Sequence, residues 1–255
     1  MAEHERGQVD TSAAEVYDDL FVPALFGRFA EAIAEAAGIR DNDDVVDVAC
    51  GTGALTRAVA ARTAGAVVGI DLNEGMLAVA ETHGGDIEYR SGDALALDVA
   101  DGAFDVATCQ FGIMFLADPA AGVAEMARVA ERGVVAVWDA IDRSDYTEMQ
   151  ELFRAELGDD AASSLDAPFA MGAPGVLEEV CESAGVGATF ESITGTGRFA
   201  SIDEWVTTEV RGWTLGESVS DDVLGRLVTT ARDRLARFET DEGCVFQMTA
   251  RVARW

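Results

Sequence analysis

An apolar run, a glycine turn and a helical stretch follow one another in VVDVACGTGALTRAVA, residues 45–60. The apolar run predicts a buried strand, and the glycines of Cys50-Gly51-Thr52-Gly53 allow a sharp turn and close approach to a ligand. The helix that follows would present free N–H groups at its amino end. A strand, turn and helix in this order indicate a ligand-facing strand end, although a glycine turn alone is not specific for any ligand.

The same alternation of strands and helices continues along the chain. The predicted strands are residues 43–49, 66–71, 86–90, 104–109, 134–139, 188–194 and 244–253. The helices between the first five are expected at 54–62, 74–81 (with Asn73 as N-cap) and 119–130. This rhythm predicts an α/β fold, Rossmann-like and doubly wound, with a mostly parallel seven-stranded sheet and helices on both faces.

Helices are also expected on both sides of this alternating region. Residues 12–37 have apolar positions at helical spacing interrupted by Pro23, which predicts two helices meeting near that proline. After residue 140 helices are expected at 145–157, 175–184 and 201–239, with the last of them interrupted around residues 213–220. The last of these stretches would form a helical cap at the sheet edge.

The charge of the chain constrains its partners. It carries 47 acidic residues against 18 basic ones, all arginine, for a net charge of -29. With 49% hydrophobic residues this is a globular composition and not that of a disordered acidic chain. Because concentrated salt screens such a surface, we interpret the chain as a protein of a salt-accumulating halophile and expect no nucleic-acid partner.

Other composition features concern location and metals. The chain has no apolar stretch long enough to span a membrane, and its first ten residues, MAEHERGQVD, lack a signal-peptide pattern. We therefore expect a cytoplasmic protein without membrane insertion. Its four cysteines, Cys50, Cys109, Cys181 and Cys244, form no CxxC pair, which predicts neither zinc nor a disulfide framework, and no metal site is expected.

Polar residues stand at successive predicted strand ends. Asp71 ends the second strand, where a carboxylate can accept hydrogen bonds from ribose hydroxyls. Asp93 follows the third strand, and the fourth ends in Cys109-Gln110-Phe111. Each carboxylate alone is equally compatible with a solvated loop in so acidic a chain. A dinucleotide fingerprint would place a third glycine where Thr56 stands, which counts against an NAD(P)-dependent oxidoreductase.

The ordered motifs DVACGTG, GIDLNEGML, SGDA, FDVATCQFGIMF and ARVAERGVVAVWDA resemble the class I S-adenosylmethionine-dependent methyltransferases. They are most similar to the small-molecule branch that includes the ubiquinone and menaquinone biosynthesis enzymes. The resemblance covers residues 12–140 closely and continues more loosely beyond them. It implies a single domain over 1–255, divided into N-terminal helices (1–42), a cofactor-binding core (43–140) and a C-terminal part (141–255) with a cap insertion at about 201–241. The cofactor would be S-adenosyl-L-methionine, with S-adenosyl-L-homocysteine as product.

The resemblance also implies roles in cofactor binding. Asp47 would hold the ammonium group, Asp71 the ribose hydroxyls, and Asp93 the adenine amino edge. The remaining expected contacts are the methionine part (Ala49, Gly51, Gly53, Gln110, Phe111), the adenine and its surroundings (Leu72, Met76, Gly92, Ala94) and a closing contact from the N-terminal helix (Tyr17). Ala49 stands where the family usually has a glycine, and alanine is expected to suit an extended strand end.

The acceptor would be a small, partly apolar molecule bound between the N-terminal helices, the loop after the fourth strand and the cap. Candidate lining residues are Phe21, Met114, Phe115, Trp138, Trp205, Arg211 and Trp213. Arg211 could pair with an anionic acceptor, and a surface ion pair explains it equally well. Neither histidine, His4 or His83, lies near the expected cleft, so no catalytic base is assigned.

Three functional hypotheses remain at this point. The first is methyl transfer by in-line displacement in a monomer or homodimer, with the acceptor and the methylated atom unassigned. The second is an NAD(P)-dependent oxidoreductase, and the third is a non-catalytic S-adenosylmethionine-binding protein.

Overall fold

A computed structural model describes residues 11–212, 215 and 219–255 of the chain. One sheet organises them, in the order β3-β2-β1-β4-β5-β8-β6, with a short β7 beside β8. The strands are β1 (Val45–Val48), β2 (Val67–Asp71), β3 (Glu88–Ser91), β4 (Phe104–Gln110), β5 (Ala130–Trp138), β6 (Thr189–Phe199), β7 (Glu239–Thr240) and β8 (Gly243–Arg254). The predicted Rossmann-like, doubly wound α/β class is confirmed, and the sheet gains a two-residue eighth strand.

Strand direction decides which ends meet. The first five strands are parallel, and β8 runs antiparallel to both β5 and β6. The ends of β1 and β4 adjoin at the point where the strand order reverses, which is where open α/β sheets bind ligands. Because β6 is parallel to β5, its carboxyl end at Phe199 reaches the same edge of the sheet, and the cap begins there.

Helices cover both faces of the sheet. They are α1 (Thr11–Val16), a π-helix (Tyr17–Phe26), α2 (Gly27–Ala36), α3 (Ala54–Ala60), α4 (Glu74–Thr82), α5 (Pro119–Val129), α6 (Tyr146–Leu157), α7 (Asp159–Ser163), α8 (Val176–Ser183), α9 (Ile202–Arg211) and α10 (Asp221–Arg234). Short 3-10 helices lie at Ile113–Phe115, Ile141–Arg143, Ala167–Gly172 and Ala236–Phe238.

Successive strand residues alternate between two hydrophobic clusters. Val45 of β1 packs with α2 and α3, whereas Val46 packs with α5 and α8 on the other face. This alternation is the period-2 geometry of a strand covered on both sides. Asp47 therefore points to the same face as Val45, toward α3.

The break predicted at Pro23 is absent, because α1, the π-helix and α2 follow one another without a gap. Proline lacks the N–H that an α-helix needs, and the wider π-turn absorbs the defect. At the end of the wide segment the Gly27 N–H donates to the carbonyls of Val22 and Leu25. Residues 11–36 thus form one continuous helical segment, the N-terminal arm.

Among the described residues, no helix is both long and apolar enough to span a membrane.

Candidate cofactor site

The turn after β1 runs through the left-handed backbone region. Ala49, Gly51 and Gly53 have φ values of 53°, 56° and 81°. The expectation that Ala49 suits an extended strand end is therefore wrong, since the strand stops at Val48 and the turn itself requires left-handed geometry. The Cys50 N–H, which donates to the Ile70 carbonyl at 3.1 Å, helps to fix the turn. An alanine held this way costs about 1–2 kcal/mol.

Asp71 ties the ends of β1 and β2 together. Its Oδ2 accepts the Gly51 N–H at 2.8 Å, and its Oδ1 accepts the Asn73 N–H at 2.8 Å. Burial raises the pKa of Asp71, and these backbone N–H groups act in the opposite direction. Each oxygen keeps a second lone pair, so the carboxylate can also accept hydrogen bonds from a ligand.

Tyr17 brings the N-terminal arm to this carboxylate. Its ring stacks on Phe26 with centroids 5.1 Å apart. Burial, and then the charge of Asp71, raises the pKa of Tyr17 far above its ordinary value, so the phenol lies within electrostatic range of Asp71. The structure therefore brings Tyr17 to the predicted ribose site.

The expected adenine contacts follow β2 and β3. Leu72 is 49% exposed beside Asp71, and Met76 is half-buried in the first turn of α4. The Asn73 side chain caps α4 by accepting the N–H groups of Gly75 and Met76, which confirms the predicted N-cap. An exposed leucine next to a strand-end carboxylate offers an apolar surface to a ring.

The loop after β3 is anchored to β2. The Gly92 N–H donates to the Asp71 carbonyl at 3.0 Å, and a side chain at Gly92 would crowd Ile70. Asp93 is exposed and its Oδ1 accepts the Leu95 N–H at 2.9 Å, whereas Ala94 is buried. Gly92, Asp93 and Ala94 thus lie at the same edge as Asp71.

The end of β4 supplies a second strained turn. Phe111 has a φ of 58°, and its ring stacks on Trp138 with centroids 3.7 Å apart. A side chain at Gly112 would lie 2.6 Å from the Ala49 Cβ, so the β1 and β4 turns are in direct contact. The Gln110 Nε2 donates to the Phe26 carbonyl at 2.9 Å, while its buried Oε1 has no partner among the described residues.

Asp47 lies beneath this turn with 1% of its surface exposed. Its Oδ2 accepts the Thr56 hydroxyl at 2.6 Å, and its Oδ1 accepts the Thr108 hydroxyl at 2.7 Å. Burial raises the pKa of Asp47 to about 6, although both hydroxyls oppose the shift. Sequence reasoning missed these two threonines as partners. Thr108 is brought to Asp47 by the register of β4 against β1, in which the two residues are paired on neighbouring parallel strands.

The candidate acceptor residues do not form one group. Phe21 and Trp138 are buried, Met114 is half-buried and Phe115 is 49% exposed. Phe21 lies 6.0 Å from Tyr17 between ring centroids, and Trp138 stacks on Phe111, so both are near the predicted cofactor site.

The cap candidates lie in other surroundings. Trp205 is fully buried and stacks on Phe246 at 4.0 Å, so it belongs to the core beneath the cap. Arg211 donates to the Val219 carbonyl at 2.8 Å and pairs with Asp221 at 2.6 Å, which is the surface ion pair considered above. Trp213 lies outside the described residues.

A buried acid on α9 was also missed. Glu209 is 1% exposed and accepts the Tyr146 hydroxyl at 2.5 Å. The carboxylate lies one helical turn after Trp205, on the apolar face of α9. A charged residue on the apolar face of a helix indicates a buried acid, and this spacing could have identified Glu209 from the sequence.

Within the described part of the chain, no cluster of three or more His, Cys, Asp or Glu residues could hold a metal ion.

Comparison with known proteins agrees with this geometry. Residues 46–137 match the family model described as a methyltransferase domain. A demethylmenaquinone methyltransferase of Renibacterium salmoninarum is 36% identical over 120 residues, 47% of this chain and 50% of the relative. A ubiquinone biosynthesis O-methyltransferase of Methylococcus capsulatus is 40% identical over 123 residues, 46% of this chain and 49% of the relative. The chain thus spans about half the length of the curated relatives it matches.

The likeness of fold extends further than the likeness of sequence. A phosphoethanolamine N-methyltransferase 2 of Haemonchus contortus, solved in complex with S-adenosyl-L-methionine, superposes with a TM-score of 0.60 at 15% identity. That match covers 100% of this chain and 60% of the other. Fold and strand-end site together define a Rossmann-like α/β protein with a candidate ligand site at the carboxyl ends of its parallel strands. Residues 46–137 match the methyltransferase-domain model, in agreement with the resemblance seen in the motifs of this region.

Proposed function

We propose that the chain binds S-adenosyl-L-methionine and transfers its methyl group to a small, partly apolar acceptor. The observation that carries this proposal is the convergence of Asp71, Asp93 and Asp47 on neighbouring strand ends, around a left-handed turn at residues 49–53. The methyltransferase names of the relatives support the reaction class, and their quinone-related names support a quinone-like ring as acceptor.

The residues present fit the cofactor. The space beside Gly51 is open, since a Cβ there would meet no atom within 4 Å. Gln110 Oε1 is a buried acceptor without a described partner, which suits a donor such as the amino acid part of the ligand. Asp71 accepts from the ribose, Leu72 covers the adenine, and Asp47 supplies negative charge beneath the turn.

The mechanism depends mainly on positioning. When bound, the cofactor would supply an electrophilic methyl group on a sulfonium sulfur. The leaving group of the transfer is a neutral thioether. The chain holds donor and acceptor in line and excludes water, and good alignment alone contributes about 7–11 kcal/mol. Phe111 and Trp138, stacked at the ends of β4 and β5, provide an apolar wall for this step. His83 is engaged with Asp18 at 2.8 Å, so the proposal assigns it no role as base.

Calorimetric titration with S-adenosyl-L-homocysteine and with NAD tests cofactor choice. We expect binding of the first and not the second, and the reverse result would support an oxidoreductase. Asp71→Ala should weaken binding at least about tenfold, because a hydrogen bond to a charged group contributes about 1.5–3 kcal/mol. Asp105→Ala is the matched control, since its carboxylate accepts the Asp44 N–H at 2.8 Å at the opposite edge of the sheet. Equal affinities in both variants would contradict the role of Asp71.

A transfer assay distinguishes an enzyme from a binding protein. Methyl-labelled cofactor is incubated with a panel of quinols, phenols and amines, and the labelled product identifies the acceptor and the atom. If no acceptor is labelled although S-adenosyl-L-homocysteine binds tightly, the result would support the non-catalytic alternative.

The remaining expectations belong to the same proposal. From the net charge of -29 we infer a protein of a salt-accumulating halophile without a nucleic-acid partner. We expect it to be cytoplasmic and to act as a monomer or homodimer. Sedimentation in molar KCl measures the oligomeric state.

A further inference from the structure

One face of α5 runs along the segment that follows β3. Gly122, Glu125 and Arg128 are spaced at three residues and therefore lie on one side of the helix. All three face residues 93–101, which begin with the proposed adenine contact. The contacts along this face hold the segment at several successive points.

Arg128 makes the largest share of these contacts. Its guanidinium donates to the Leu97 carbonyl at 3.0 Å and to the Val99 carbonyl at 2.7 Å. It also pairs with Glu125 at 2.7 Å and with Asp101 at 2.7 Å. A planar fork with five donors can hold several acceptors in fixed directions, which a lysine cannot do.

Glu125 completes the contact from the other side. Its Oε2 accepts the Leu97 N–H at 2.9 Å, so the peptide groups on both sides of Leu97 are bound to α5. The hydrogen bond from Arg128 is the main factor that lowers the pKa of Glu125, which keeps the pair charged at neutral pH.

The start of the segment is held closely as well. Gly122 has no side chain where the helix passes Leu116 and the Ala94 carbonyl. Asp93 Oδ1 accepts the Leu95 N–H, and the Ala96 N–H donates to the Asp93 carbonyl at 3.0 Å. These bonds orient the Asp93 carboxylate and leave its Oδ2 free of partners among the described residues.

We propose that Arg128, together with Glu125, is a positioning residue for recognition of the purine 6-position. It fixes residues 97–101 on α5, and this fixes the Asp93 turn that would accept the adenine amino group. The inference rests on the proposed cofactor and adds a determinant of base specificity. Residues 97–101 have no regular secondary structure. The contacts with Arg128 and Glu125 therefore replace the backbone hydrogen bonds that a neighbouring strand would provide.

The test compares two ligands that differ only at that position, S-adenosyl-L-homocysteine and its 6-deamino counterpart, which carries hydrogen in place of the amino group, by calorimetric titration. The native chain should prefer the adenine ligand by about tenfold, the value of one hydrogen bond to a charged group. Arg128→Gln should reduce this preference at least threefold, mainly by weakening the adenine ligand. A purely structural role would lower the folded fraction and leave the preference unchanged.

Arg132→Gln is the matched control. Arg132 also pairs with a carboxylate, Asp43, at 2.7 Å and binds a carbonyl, that of Gly38, at 3.1 Å, but at the amino edge of the sheet. It should keep the full ligand preference. If Arg128→Gln fails to fold, Arg128→Lys, which keeps the charge and loses the fork, is measured in its place.

The outcomes separate the two proposals. An Arg128 variant with the native preference would overturn the inference, as would a native chain that binds both ligands equally. A native chain that binds neither would instead refute the proposed cofactor.

Discussion

Among the described residues, two that are not glycine adopt left-handed geometry, and both stand directly after strands of the proposed site. Ala49 directly follows β1 and Phe111 directly follows β4, and the glycine after Phe111 packs against the Ala49 methyl group. Strained backbone at such positions is common in functional sites, where the surrounding structure enforces it. The strain at Ala49 is open to a direct measurement.

Ala49→Gly should stabilise the fold. It removes about 1–2 kcal/mol of left-handed strain and loses roughly 0.5–1 kcal/mol through the larger entropy of the unfolded chain. The net gain in free energy of unfolding should be about 0.5–1 kcal/mol, measured by urea denaturation. Ala60→Gly, in the helical backbone at the end of α3, serves as control and should lose about 0.5–1 kcal/mol. A similar loss at Ala49 would show that its turn carries no strain.

Asp47 should make the fold less stable at neutral pH. Its pKa in the folded chain, about 6, is above the ordinary value of 3.8. Between these values the folded chain binds a proton that the unfolded chain has released, so stability falls as pH rises through this window. Above pH 6 the full cost is present, up to about 3 kcal/mol for a shift of this size.

Asp47→Asn tests this cost. The variant should be more stable than the native chain at pH 7 and equal to it below about pH 4, while binding S-adenosyl-L-homocysteine more weakly because the ammonium loses its counter-charge. Urea denaturation across this pH range, with calorimetry at pH 7, gives both quantities. A pH-independent difference between the two chains would contradict a raised pKa.

The predictability of site residues from sequence depends on how local their signals are. Asp71 and Asp93 could be found because the first ends its own predicted strand and the second follows the next strand, and the structure places both at one edge. The Thr108 hydroxyl reaches Asp47 across 61 residues, a contact set by the register of β1 against β4. The left-handed turn at Ala49 was missed because alanine rarely adopts that geometry and only the surrounding contacts impose it.

At the level of elements, the N-terminal arm closes one side of the proposed site. Tyr17 lies within electrostatic range of Asp71 at the end of β2, and α1 packs on α4. Asp18, the next residue, pairs with His83 at the end of α4 at 2.8 Å. The arm is therefore attached to two elements that carry expected cofactor contacts.

Loss of the Asp18–His83 pair should weaken cofactor retention. Asp18→Asn and His83→Gln should each raise the dissociation constant of S-adenosyl-L-homocysteine about two- to threefold, as expected of a partly exposed pair contributing about 0.2–1 kcal/mol. The double variant should bind no worse than either single variant, because only one interaction is lost. Glu31→Gln, which breaks the pair between Glu31 of α2 and Arg62 just after α3, should leave affinity unchanged. Additive effects of Asp18 and His83 would contradict a shared contact.

The cap shows why helical periodicity alone could not assign the acceptor site. Trp205 lies on the apolar face of α9, and the helical spacing of apolar residues is the same whether the face packs in the core or lines a pocket. The structure places it against Phe246 of β8, a partner 41 residues away that the local pattern does not identify. The pairing of Arg211 with Asp221 likewise depends on how α9 and α10 meet.

For the whole molecule, the main electrostatic property is unbalanced negative charge. The described arginines form ion pairs such as Arg62–Glu31, Arg128–Asp101 and Arg232–Asp203, yet the chain has 47 acidic residues against 18 basic ones. Surface ion pairs contribute little each, and the remaining carboxylates repel one another. The repulsion acts over about 10 Å at 0.1 M salt and about 3 Å at 1 M.

Stability should therefore rise steeply with salt. Thermal unfolding followed from 0.1 to 2 M KCl should show a midpoint that increases by on the order of 10 °C, which for a chain of this size corresponds to several kcal/mol of relieved repulsion. Equal ionic strengths of NaCl and tetramethylammonium chloride should give similar increases, because screening does not depend on the identity of the cation. Equimolar sucrose, which acts by exclusion and without screening, should produce a smaller increase. A midpoint and a cofactor affinity that are the same in 0.1 M and 2 M KCl would show that the acidic surface is not an adaptation to salt.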